Sequence, residues 1–100
     1  MNVHLIQLLL PVVVSDDDRV SFEAILGELT DQFGGATGFL NSPADGLWED
    51  GGKLERDRVV TVEVMVDEID ADWWKAYRKR LERTFQQKEL IVRAVEITKL

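Results

Sequence analysis

The chain contains no cysteine. That absence removes disulfides, thiolate zinc sites and any cysteine nucleophile together, and it is compatible with a reducing compartment. Histidine occurs once, at His4, so no pair of imidazoles exists to hold a transition metal. A single imidazole near a strand start reads as structural rather than catalytic. Basic residues are the scarcer charge: 12 Lys and Arg against 19 Asp and Glu leave a formal net charge of -7. That balance makes nucleic acid an unfavoured partner, because phosphate contacts need a basic footprint. Long apolar runs are also missing. The stretch from Leu5 to Val14 is broken by Gln7 and Pro11, and it is half of what a helix needs to cross a bilayer. Met1-Asn2-Val3-His4 has neither the basic segment nor the small-residue cleavage site of a signal peptide, so a cytoplasmic location without a membrane partner is expected.

What is present describes one compact domain over residues 1–100, with 45% hydrophobic residues to build its core. Residues 3–14 are rich in Leu, Ile and Val on both parities, which predicts a strand buried on two sides. Pro11 cannot donate to a ladder, so pairing there must be one-sided or ending. After a turn at Ser15 to Asp18, the residues Phe22, Ile25, Leu26, Leu29 and Phe33 make a single helical stripe. Gly34 and Gly35 stop that helix. Ala36 to Leu40 reads as a short strand, Asn41 to Gly46 as a loop, and Glu49-Asp50-Gly51-Gly52 as a hairpin turn after Leu47 and Trp48.

Arg58 to Asp67 is the clearest strand, with Val60, Val62, Val64 and Val66 on the core side and Thr61, Glu63 and Met65 on the other. Asp70 or Asp72 caps a second helix whose stripe runs through Trp73 or Trp74, Tyr77, Leu81 and Phe85. Leu90 to Thr98 is a last strand. The order strand, helix, strand, strand, helix, strand predicts an α+β, ferredoxin-like βαββαβ fold. Two helices then cover one face of a four-stranded antiparallel sheet.

Such a sheet leaves its second face open. Strand parity puts Leu5, Gln7 and Leu9, then Thr61, Glu63 and Met65, then Ile91, Arg93, Val95 and Ile97 on that face. Gln7, Glu63 and Arg93 are expected to meet there in an apolar setting. A face this greasy calls for company, either a homodimer stacked sheet to sheet or a cleft in which Glu63 and Arg93 grip a small polar molecule.

Other signals are weaker. The acidic runs Asp16-Asp17-Asp18 and Asp67, Glu68, Asp70, Asp72 lack the alternating ligand spacing of a calcium loop, and no metal or other cofactor is expected. The glycines of Gly34-Gly35-Ala36-Thr37 follow a helix instead of preceding one, so they present carbonyls where a phosphate would need N–H groups. Lys75, Arg78, Lys79, Arg80, Arg83 and Lys88 read first as a solvated helix face. Trp73 and Trp74 are adjacent, so one ring should point inward and the other toward a surface. Trp48, beside Gly46, is placed to fold over Thr37 or the sheet edge.

The pattern Phe33-Gly34-Gly35-Ala36-Thr37, Gly46-Leu47-Trp48, Glu55, Tyr77 and Phe85-Gln86-Gln87 is similar to that of a small bacterial family of ferredoxin-like domains without an agreed activity. The likeness departs where that family has a Glu after the Gln, since Lys88 stands there. If the family's positions form one site, the resemblance makes Thr37, Trp48, Glu55, Tyr77 and Gln87 its members.

The first functional expectation is a non-catalytic, homo-oligomeric binding or interaction module. It would use the open sheet face and the 37–48 loop, with a small molecule or a protein as partner. The alternative is a small cofactor-independent enzyme of isomerase or hydrolase type, with Glu55 or Glu63 as general base and Tyr77 or Gln87 polarising the substrate. A third reading is a nucleic-acid-associated protein acting through the basic second helix.

Overall fold

The computed structural model describes residues 2–12, 16–40 and 44–100. Its elements are β1 (Asn2–Pro11), α1 (Asp16–Phe33), β2 (Thr37–Gly38), β3 (Ala44–Asp50), β4 (Lys53–Val66), α2 (Ala71–Thr84) and β5 (Ile91–Thr98). The sheet runs β2-β4-β1-β5, and every pairing is antiparallel. Strands β2 and β3 share one edge, each against its own stretch of the 14-residue β4. Four strand positions with two helices therefore give the βαββαβ arrangement that the residue periodicities predict.

Alternation along β1 and β4 decides which side is covered. Ile6, Leu8, Leu10, Val60, Val62, Val64 and Val66 are buried, and against them pack Phe22, Ile25 and Leu29 of α1 and Trp74, Tyr77 and Leu81 of α2. Leu5, Gln7 and Leu9 on the other parity are only half-buried. Pro11 is tolerated in a central strand because β5 pairing stops at Leu9 and Ile91, which leaves only β4 alongside it. The first strand ends at Pro11, short of residue 14; Val13, Val14 and Ser15 lie outside the described residues.

Helix α1 ends where Gly34 takes φ +85° and donates its N–H to the Thr30 carbonyl at 2.8 Å, a left-handed cap that glycine adopts without steric cost. Asp70 caps α2, its carboxylate accepting from the Trp73 N–H at 3.1 Å. The far end of α2 closes differently. Gln86 sits at φ 54° and donates to the Arg83 carbonyl, while the Gln87 N–H reaches the Glu82 carbonyl at 2.9 Å. This is a Schellman cap with glutamine where glycine is usual.

Two segments differ from the sequence expectation. Strand β2 shrinks to Thr37 and Gly38, with Phe39 adding one bond to the Thr61 carbonyl. Ala44, Asp45 and Gly46 belong to β3, not to a loop, and β4 begins at Lys53, not at Arg58. The physical reason is the turn: Gly51 and Gly52 both take positive φ, the requirement of a two-residue type I′ turn, and the register it sets zips the polar flanks together. Pairing of β1 with β4 stops at Val59, so the far end of this hairpin projects past β1.

Candidate functional site

Strand register places four of the expected residues in one line across the open face. Thr37 pairs with Glu63, Glu63 with Gln7, and Gln7 with Arg93, so a single polar row crosses β2, β4, β1 and β5. Gln7 Nε2 donates to Glu63 Oε2 at 3.0 Å, and Arg93 Nε donates to Gln7 Oε1 at 3.0 Å. The amide has one orientation that satisfies both neighbours, NH2 toward the carboxylate and carbonyl toward the guanidinium. The row is thereby polarised, acidic at the β4 end and basic at the β5 end. Around it stand apolar side chains, and two of them, Met65 at 52% and Val95 at 44%, are exposed beyond what a core position would show.

The acidic end of the row opens onto a groove of ≈ 700 Å³ between the sheet and the loop that leaves α1. Phe33, Gly34 and Gly35 line it together with Thr37 and Glu63, and Asp67 and Lys99 bring one further charge of each sign. The glycine-rich exit of α1 thus belongs to the same surface as Glu63, an adjacency that neither segment reveals by itself. Lys99 escaped the sequence reading because its relevance comes only from β5 lying beside β1.

The remaining expected positions stand elsewhere. Tyr77 is buried in the helix layer, on the opposite side of the sheet from Glu63. Its hydroxyl donates to Glu28 Oε2 at 3.2 Å, Arg80 pairs with the same carboxylate, and the Arg80 guanidinium lies 4.8 Å from the Tyr77 ring centre. Burial first, and the Glu28 carboxylate second, push the phenol up to about 12. Glu28 was missed, and Arg80 was read only as part of a solvated basic face, although Tyr77 and Arg80 share a helix face at i and i+3. Gln87 is exposed in the α2 cap, where its backbone makes the capping bond. Trp48 and Glu55 face each other in register on the β3–β4 hairpin; their side chains lie outside the described residues. The five positions drawn from the family resemblance therefore fall in three places: Thr37 beside Glu63 on the sheet, Trp48 with Glu55 on the hairpin, and Tyr77 and Gln87 along α2 and its cap, with Tyr77 and Glu63 on opposite sides of the sheet.

The tryptophan pair divides as its adjacency requires. Trp74 is buried, and Trp73 is half-buried over Tyr77, stacked at 4.9 Å. Phe33 from the end of α1 stacks on Trp74 at 5.0 Å and meets Trp73 edge-on, so this aromatic group locks the two helices together. On the basic face, Arg80 is paired with Glu28 and Arg78 lies 4.0 Å from Glu82, which dilutes the charge available to a phosphate backbone.

No family model matches the chain, and no curated protein matches it in sequence. Solved structures do match. A CutA from Xylella fastidiosa superposes with a TM-score of 0.66 at 19% identity, covering 98% of this chain and 86% of that one. The divalent ion tolerance protein CutA1 of Ehrlichia chaffeensis gives 0.61 at 12%, covering 99% and 84%. A phage SAM lyase in complex with S-methyl-5′-thioadenosine gives 0.55 at 17%, covering 98% and 89%. The fold is shared. Identities this low carry the architecture and nothing of the chemistry. No helix among the described residues is long and apolar enough to cross a membrane, and no cluster of metal-ligating side chains occurs among them.

Proposed function

We propose that this protein is a non-catalytic, homo-oligomeric binding module, a single domain that self-associates through its open sheet face. The observation that carries the reading is the polarised row. A second copy related by a two-fold axis through Gln7 sets Glu63 of each chain against Arg93 of the other and stacks the apolar flanks together. That arrangement buries Met65 and Val95 while keeping every charge in the row opposite its complement. The groove beside Thr37 and Glu63 then lies at the border of the interface, where a small polar ligand has a carboxylate, a hydroxyl and the Lys99 ammonium within one surface.

Light scattering coupled to size-exclusion chromatography tests this reading. The native protein is expected at a multiple of 11.4 kDa, and Val95→Glu at the single-chain mass with an unchanged circular dichroism spectrum. A native protein that stays at the single-chain mass up to its solubility limit sinks the proposal.

A further inference from the structure

The groove at the acidic end of the row gathers polar side chains that no contact among the described residues occupies. Glu63 accepts from Gln7 through Oε2 alone, and its Oε1 has no hydrogen-bond partner among those residues. The side chains of Thr37, Asp67 and Lys99 make no hydrogen bond or ion pair among them either. Thr37, Asp67 and Lys99 are exposed and Glu63 is half-buried, so each can be reached from solvent.

Topology keeps the two signs of charge apart. Asp67 directly follows β4 and Lys99 directly follows β5, while β1 with Leu5 runs between those strands. Two strand spacings, roughly 10 Å, separate acid from base at the backbone. Opposite charges held that far apart beside an apolar strand do not neutralise each other, and they suit a solute that carries both signs. The loop that leaves α1 adds a bare stretch. Gly35 has no positive φ, and a Cβ built there meets nothing within 4 Å, so neither backbone nor packing calls for glycine. A missing side chain at that point lets a bound molecule approach the main chain closely.

We infer that the groove takes a free α-amino acid with an apolar side chain. Its ammonium meets Asp67, Glu63 Oε1 and the Thr37 hydroxyl, and its carboxylate meets the Lys99 ammonium. Its side chain lies against Leu5, Phe33 and Ala36, and a volume of ≈ 700 Å³ admits the larger apolar ones. The inference rests on reading this groove as a ligand site. It needs no second copy, because every residue named belongs to one chain.

The test titrates the full chain with three compounds, followed by two-dimensional NMR of the assigned backbone N–H groups. The compounds are L-phenylalanine, N-acetyl-L-phenylalanine, which lacks the ammonium, and L-phenylalaninamide, which lacks the carboxylate. L-phenylalanine is expected to move the Gly34, Gly35 and Thr37 resonances saturably, and each blocked compound to bind about fivefold more weakly. Lys99→Gln should weaken phenylalanine and its N-acetyl form and leave phenylalaninamide unchanged. Asp67→Asn should weaken phenylalanine and phenylalaninamide and leave the N-acetyl form unchanged. Both residues are exposed and lie outside the strands, and a dispersed spectrum confirms that each variant is folded. No saturable shift at these positions, or substitutions that change none of the affinities or all of them alike, overturns the inference. Equal binding of phenylalaninamide and phenylalanine overturns the ligand class in favour of a simple amine. Light scattering on the same samples keeps the two readings separate. An assembled protein that ignores L-phenylalanine refutes the amino acid alone, and a single-chain protein that binds it refutes only the assembly.

Discussion

Glu63 and Arg93 carry opposite charges two strands apart, and the side-chain amide of Gln7 joins them with a 3.0 Å bond to each. If the row sets the register of a second copy, its polarity is the property to reverse. Glu63→Arg and Arg93→Glu singly place like charges against each other, and each is expected to lower the assembled mass. The double exchange restores the pairing and the mass. Light scattering on all three variants checks this, and failure of the double variant to assemble removes the row as the determinant.

Gln7 itself is expected to matter for stability as well as assembly. Gln7→Leu leaves the half-buried Glu63 carboxylate without its amide donor, which costs about 1–2 kcal/mol. Urea unfolding of the wild type and the variant, compared at one protein concentration, measures it.

Helix α2 offers one gain and one loss. Gln86 holds φ 54°, a conformation that costs a side-chain-bearing residue about 1–2 kcal/mol and glycine almost nothing. Gln86→Gly is expected to raise stability by about 0.5–1 kcal/mol once the looser unfolded chain is set against that relief. Asp70→Ala removes the carboxylate that accepts from the Trp73 N–H and is expected to cost about 1 kcal/mol. Thermal unfolding should show opposite shifts in Tm for the two variants; the same sign for both refutes the cap assignments.

Tyr77 is the only tyrosine, so tyrosinate absorbance reports it without overlap from another phenol. Its folded-state value of about 12 lies above the ordinary 10.0, so the unfolded chain gives up the proton first. The stability tied to Tyr77 is thus complete below pH 10.0 and is lost as pH climbs toward about 12. A spectrophotometric titration at the tyrosinate band should show a late midpoint. Glu28→Gln should lower it while leaving it above 10.0, because burial, the larger cause, remains. A midpoint that Glu28→Gln leaves unmoved contradicts the Tyr77–Glu28 contact, and a native midpoint at the ordinary value contradicts the burial of the phenol.

Much of the fold was legible because strands and helices announce themselves at short range. The valines of β4 at every second position and the Phe22–Phe33 stripe of α1 each declare a buried face within one segment. The hairpin turn was legible too, but its consequence was not. Two glycines at positive φ carry pairing through Ala44-Asp45-Gly46 and back to Lys53, a stretch whose composition alone reads as loop. Composition weighs residues singly, whereas a tight turn commits its neighbours to a register.

What the sequence alone determined is which side chains share a strand face or a helix face, since periods of two and 3.6 residues are local geometry. That was enough to put Gln7, Glu63 and Arg93 on one surface. Tertiary structure decided the rest: that Thr37 joins their row, that Tyr77 is spent on Glu28 across the sheet, and that Trp74 keeps a donor without an acceptor. These depend on partners far along the chain, 56 residues from Gln7 to Glu63 and 86 from Gln7 to Arg93, where no local period reaches. Pairing at that range is settled by the packing of the whole core, because a slip of one residue would turn every buried valine of β4 outward.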